Sequence, residues 1–194
     1  GGPGEGKESP SVWWVFGEEN GLGTRLEERL RQEGHRVIAV KIGDRYEQEG
    51  ENGYRIDHKN PGHYEALVKD LGKRNLEPGT IVHMWSVNRG KQGPLSREII
   101  DEQQDRGLYS LVYLAQALGK QVIKTPLTID VIAEARQEVN GEEIFPAGAT
   151  IMGVLNVLPL EYPNIRCRGI DIRQPRPGTP VEDLGVVPKH LHSM

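Results

Sequence analysis

A chain of 194 residues fits one ordinary domain with tails and is too short for two full enzyme domains. Lys and Arg number 24 against 28 Asp and Glu, a net charge of −4, so the positive field that would hold nucleic acid or an anionic membrane surface is missing. Cys167 is the single cysteine, which excludes an internal disulfide and a multi-cysteine zinc site and makes a reducing compartment, the cytoplasm, the expected location.

No apolar run approaches the ~20 residues of a membrane span, and residues 1–10 lack the apolar stretch of a signal peptide. Those residues, rich in Gly, Pro and charge, read as a flexible leader. The prolines of Gln174-Pro-Arg-Pro-Gly-Thr-Pro180 are too dense for a helix or a central strand, so residues 174–194 read as a linker or tail. The folded body is expected over 11–173, with no internal repeat.

Along that body, Val12-Trp-Trp-Val-Phe16 is a short apolar, β-prone run ending at Gly17. Leu22, Leu26 and Leu30 then recur at helical spacing up to Gly34. Arg36-Val-Ile-Ala-Val-Lys41 follows as a second buried strand, and a βαβ unit of this kind pairs its strands in parallel. Tyr46 and Tyr54-Arg-Ile56 flank the turn-prone Gly50-Glu-Asn-Gly53, which predicts a small hairpin or extended excursion. Asn60 caps a helix with Pro61 at its first position, carrying Tyr64, Leu67, Val68 and Leu71 on one face before Gly72.

Thr80-Ile-Val-His-Met-Trp85 is the next core strand. The periodicity from Ser96 to Leu118 predicts a long helical region that breaks near Gly107 and stops at Gly119. Leu127 to Ala133 reads as a strand, Ala147 to Leu158 as a short apolar helix or turn, and Ile165 to Asp171 as a last strand. Such alternation predicts an α/β fold, Rossmann-like and truncated, with a mostly parallel sheet covered on both faces.

Sheets of this type bind ligands at the carboxyl ends of their strands. There the chain reads Phe16-Gly-Glu-Glu-Asn-Gly-Leu-Gly23, so Gly17, Gly21 and Gly23 occupy positions like those of a dinucleotide loop. Glu18 and Glu19 put two carboxylates where a pyrophosphate would lie, and the loop is read as degenerate: a tight strand-to-helix turn rather than a working cofactor site. A short-chain reductase also needs a Tyr with a Lys four residues on, whose ammonium lowers the phenol pKa. No tyrosine here has one; Tyr162 with Arg166 comes nearest, on the far side of Pro163.

Other residues invite sharper readings. His35, His58, His63, His83, His190 and His192 show no metal-ligand spacing with a carboxylate and read as surface or core histidines. Cys167 reads as a small hydrophobe and not a nucleophile. Trp13, Trp14 and Trp85 read as core, with an aromatic ligand cleft as the minority reading, and Arg89, Lys91 and Arg97 as solvated charges that could also meet a partner domain.

Several stretches together resemble the N-terminal half of a modular polyketide synthase ketoreductase: Trp13-Trp-Val-Phe-Gly17 with Gly21-Leu-Gly23, Ile81-Val-His-Met-Trp-Ser86 and Tyr109-Ser-Leu-Val-Tyr-Leu-Ala-Gln-Ala-Leu118. Glu138-Val-Asn-Gly-Glu-Glu143, Ala149-Thr-Ile-Met-Gly153 and Leu158-Pro-Leu-Glu-Tyr-Pro-Asn-Ile-Arg-Cys-Arg-Gly-Ile-Asp171 are similar to that family's closing segment, with Leu160 standing where glutamine is common. The resemblance implies a noncatalytic subdomain related to short-chain dehydrogenases, with no cofactor bound by this chain and NADPH held by a separate catalytic half. That half, other polyketide synthase domains and, indirectly, an acyl carrier protein are the implied partners. Two alternatives stay open: a pseudo-ketoreductase half bracing a methyltransferase, and a self-sufficient NADPH-dependent reductase. The helix from Ser96 is apolar on more than one stripe, which points to Tyr109 and Tyr113 as a partner interface, with Leu108, Leu111, Val112 and Ala115 toward the sheet.

Overall fold

A computed structural model describes residues 9–19, 21–86, 96–121, 123, 125–134 and 146–172. Most of the leader and the whole of 174–194 therefore lie outside the described residues, as do Arg89, Lys91, Glu138–Glu143, His190 and His192. Seven strands, β1 (Val12–Phe16), β2 (Arg36–Ile42), β3 (Glu47–Glu49), β4 (Gly53–Ile56), β5 (Thr80–Ser86), β6 (Leu127–Glu134) and β7 (Ile165–Ile172), form one sheet in the order β3-β4-β2-β1-β5-β6-β7. Every pair is parallel except β3 with β4. Leaving the edge strand β3 aside, the order reverses at β1 as in doubly wound nucleotide-binding sheets.

The Leu22, Leu26 and Leu30 stripe builds α1 (Leu22–Gln32), and all three leucines are buried with Trp13, Val15, Val37, Val82, Met84 and Ile132 on one face of the sheet. Asn60 starts α2 (Pro61–Lys73), its Oδ1 accepting from the Gly62 N–H at 3.0 Å. With α4 (Ser110–Lys120) and α5 (Pro146–Glu161), α2 covers the opposite face, where Trp14, Phe16, Ile38, Val40, Tyr54, Ile81, Trp85, Ile129 and Val131 make the larger core. Among the described residues, then, α1 packs on one face of the sheet and α2, α4 and α5 on the other.

Four sequence expectations change. Gly53–Ile56 is more than the arm of a hairpin: β4 pairs antiparallel with β3 and parallel with β2, so it is an inner strand reached without a helical crossover. The helix from Arg97 does not break at Gly107 but loosens into a single π turn, Asp105–Tyr109, between α3 (Arg97–Gln104) and α4. Gly107 faces Ser86 there, and a Cβ on it would lie 2.8 Å from the Ser86 Oγ. Gly119 does not end α4; the Tyr162 ring packs on it, and a Cβ would fall 2.5 Å from the Tyr162 hydroxyl. Leu111 and Ala115 face the sheet as expected, whereas Leu108 and Val112 are only half-buried and Leu114, Ala117 and Leu118 complete the buried stripe.

Candidate functional site

The topological switch lies between β1 and β5, and the loop after β1 is the place where such a fold holds a ligand. Gly17 and Gly23 approach closely there: a Cβ on Gly23 would sit 3.4 Å from the Gly17 Cα, so small residues let α1 start against the strand end. Gly21 is the residue before α1, and its carbonyl accepts the first helical N–H, from Arg25, at 3.2 Å.

The loop is tied down by its own charges. The Glu18 carboxylate accepts from Arg106 Nη1 at 2.8 Å, an arginine carried 88 residues away on the π turn. Glu19 pairs with Arg55 of β4, which also holds Glu49 of β3. Lys41 on β2 donates to the Glu18 carbonyl at 3.3 Å and to Glu27 of α1 at 3.1 Å. The sequence reading had the two loop carboxylates repelling a phosphate; in the structure each also has a guanidinium partner.

Behind the loop an aromatic plug fills the strand ends. The Trp85 indole N–H donates to the Gly17 carbonyl at 3.1 Å, Phe16 meets Trp85 edge-to-face at 5.1 Å, and His58 and His83 lie 6.5 and 5.5 Å from the same indole. The three tryptophans are therefore core, as expected, and each indole N–H is used: Trp13 on Ser11 Oγ, Trp14 on the Leu76 carbonyl, Trp85 on Gly17.

His83 and Ser110 sit 2.7 Å apart, Nε2 to Oγ, which has the form of a base and a nucleophile. Both are fully buried, and the serine hydroxyl is committed to the Arg106 carbonyl of the preceding turn at 2.6 Å. Ser110 then accepts from the His83 Nε2–H, and His83 Nδ1 has no hydrogen-bond partner among the described residues. Burial pushes the His83 pKa down to about 3, and the ring stays neutral. His58 is also lowered, first by burial and then by the Arg106 charge.

The remaining expected residues separate. Tyr162 packs on α4, while Arg166 lies on the opposite face of the sheet, so the two do not form an acid–base pair. Burial, then the Asp130 charge, raises the Cys167 thiol to about 11. Arg97 is exposed at the start of α3. His63 Nδ1 accepts from the Asp57 N–H at 3.0 Å. Tyr109 is 43% exposed, but Tyr113 is half-buried, its ring 5.8 Å from Tyr64 and 6.4 Å from Tyr109. Among the described residues, Val157 and Leu160 on α5 are the other exposed large apolar side chains. Among the described residues no three His, Cys, Asp or Glu side chains gather as a metal site, and no helix is long and apolar enough to cross a membrane.

Arg55, Arg106 and Lys41, which hold the loop, were not singled out by the sequence. The only local signal was that all three lie in otherwise apolar or Gly-bearing stretches.

Comparison with known proteins gives the setting. The family model described as beta-ketoacyl synthase-like, N-terminal, matches residues 13–184. No curated protein matches the chain. Among solved structures, an N-terminal ketoreductase from the macrolactin assembly line aligns with a TM-score of 0.72 at 21% identity, over 86% of this chain and 33% of that one. A multidomain structure comprising adenylation, ketoreductase and pseudo-Asub domains, from a keto acid-selecting NRPS module, aligns with a TM-score of 0.71 at 21% identity, over 84% of this chain and 13% of that one. A short-chain dehydrogenase/reductase family oxidoreductase from Brucella ovis, in complex with a partially ordered NAD, aligns with a TM-score of 0.63 at 13% identity, over 84% and 83%. The chain thus spans about a third or less of the two assembly-line proteins and most of the free-standing reductase, and the shared feature is the Rossmann-like fold.

Proposed function

Because the chain belongs to the beta-ketoacyl synthase-like, N-terminal family, we propose that it is the noncatalytic structural half of a polyketide synthase ketoreductase region, bracing an NADPH-binding catalytic half. The observation that carries this reading is the self-filled crevice: Arg106 on Glu18, Arg55 on Glu19 and the Trp85 indole on the Gly17 carbonyl. A dinucleotide needs free backbone N–H groups and a helix start open to a pyrophosphate. This loop offers it two carboxylates and a tryptophan, a poor fit for the group. The absence of any Tyr with a Lys four residues on removes the usual proton donor as well.

The face that meets the catalytic half is the outer side of α4 and α5. Exposed Val157 and Leu160 lie on α5 and exposed Tyr109 ends the π turn that leads into α4, and exposed apolar side chains are what an interface uses. Tyr109 is the contact residue in this reading, and Tyr113 supports it, stacked on Tyr109 and tilted against Tyr64.

Calorimetric titration with NADPH tests the assignment. No saturable binding is expected; a micromolar dissociation constant would overturn it. A partner purified with the chain is expected to carry its own glycine loop with Ser, Tyr and Lys.

A further inference from the structure

The sheet face that carries α1 is apolar near the carboxyl ends of its strands and polar near the amino ends. Strand alternation and pairing bring Thr80 of β5, Thr128 and Asp130 of β6, and Arg166 and Arg168 of β7 to this second part. With Ser9, Ser11 and Trp13 they line a cavity of about 400 Å³, at the opposite end of the strands from the glycine loop. Inner positions of a parallel sheet are normally apolar, so the Asp130 carboxylate on β6, with two guanidinium groups beside it on the edge strand β7, needs a reason.

Asp130 is fully buried and directly opposite Arg168 in the strand register. It accepts from Arg168 Nε at 2.8 Å and from Nη2 at 2.9 Å, a two-pronged contact that fixes the guanidinium plane. Arg168 Nη1 is left without a partner among the described residues, and its side chain remains 50% exposed. Arg166, two residues earlier on the same face, has no ion-pair partner among the described residues and is exposed. Two guanidinium groups against one carboxylate leave the cavity at +1, in a chain of net charge −4. Thr80 and Thr128 add hydroxyl donors, and the buried Trp13 ring, its N–H spent on Ser11, adds an apolar wall.

We propose that this cavity binds a small organic anion, its carboxylate or phosphate held by Arg168 and Arg166 and its apolar body against Trp13. The buried carboxylate positions Arg168 before the ligand arrives, which lowers the ordering cost of binding. The site is independent of the crevice at the other end of the strands and of the proposed partner face on α4 and α5.

The test is titration of the full chain at low salt with phenyl phosphate, with benzoate, and with benzyl alcohol as the uncharged control. Calorimetry gives affinity, and the Trp13 indole N–H resonance reports location. Saturable one-site binding of one or both anions is expected, with a shift of that resonance and no binding of the alcohol; the stronger anion identifies the group recognised. Arg166→Ala, at an exposed position, is expected to keep the parent circular dichroism and lose affinity at least about tenfold. Arg45→Ala, an exposed arginine elsewhere, is expected to bind as the parent does. No saturable binding of either anion, or equal losses in R166A and R45A, would overturn the proposal.

Discussion

The two faces of the sheet are built by the same strands and finished differently. On the three-helix face β5 and β6 present Ile81, Trp85, Leu127, Ile129 and Val131 to the core, and the one ionisable group among them, His83, is kept neutral. On the α1 face the same two strands present Val82, Met84 and Ile132 to the smaller core but also Thr80, Thr128 and Asp130 to a cavity. Polarity within an inner strand therefore records how far a helix covers it. The glycine loop is tied from both sides, to Arg106 on the three-helix side and to Arg55 and Lys41 on the other.

Arg168→Met should break this contrast most strongly, because it leaves the fully buried Asp130 carboxylate without its partner. Stability should fall by about 3–5 kcal/mol in urea unfolding. Adding Asp130→Asn should restore most of that loss, since the remaining group is neutral. If the single variant is as stable as the parent, water already solvates Asp130 and the cavity is more open than its geometry indicates.

Acid should act on the opposite face. The folded-state pKa of His83 is depressed to about 3 from 6.5, so the unfolded chain binds this proton first. Stability from this group is complete above pH of about 6.5 and is lost as pH falls toward about 3. At pH 4.5 the loss should reach roughly 3 kcal/mol, with His58 adding in the same direction. Comparing urea midpoints at pH 7 and 4.5 for the parent and His83→Gln isolates the term: the variant should lose less on acidification. Equal losses would mean that carboxylates alone set the acid limit.

The contrast between faces also shows which features the sequence could announce. The βαβ start, the Asn60-Pro61 cap and the parallel sheet were readable because they rest on local periodicity and capping chemistry. β4 was not recognised as an inner strand, since four residues that pair on both sides look like one arm of a hairpin when only the turn at Gly50–Gly53 is visible. Gly119 looked like a helix stop because its actual constraint, the Tyr162 ring, lies 43 residues downstream on another element. The glycine loop was located correctly, yet its ion pairs to Arg55 and Arg106 span 36 and 88 residues and leave no local pattern. Asp130 was the one visible clue to the cavity, a carboxylate within Leu127-Thr-Ile-Asp-Val-Ile-Ala133, and its meaning depended on a register that sets Arg168 opposite.

Tyr109 and Tyr113 should separate fold from association. Tyr113→Asp places a carboxylate against the Tyr64 ring and should cost about 2 kcal/mol of stability in urea unfolding. Tyr109→Asp, at a 43% exposed position, should stay within about 0.5 kcal/mol of the parent but weaken association with the proposed catalytic half. If Y109D binds that half as tightly as the parent, the interface lies on another face.

On nucleotide binding, the smallest effect is expected where a nucleotide-binding relative would show the largest. Glu18→Gln with Glu19→Gln removes two ion pairs whose members are 30–57% exposed, so each should contribute at most about 1 kcal/mol. The double variant should unfold within about 1–2 kcal/mol of the parent. It should still give no saturable NADPH signal in calorimetry, because Trp85 continues to donate to the Gly17 carbonyl and Arg55 and Arg106 keep Glu49 and Glu102 as partners. Micromolar NADPH binding by this variant would show that the two carboxylates were the whole barrier, and that the crevice beneath them kept the shape of a working site.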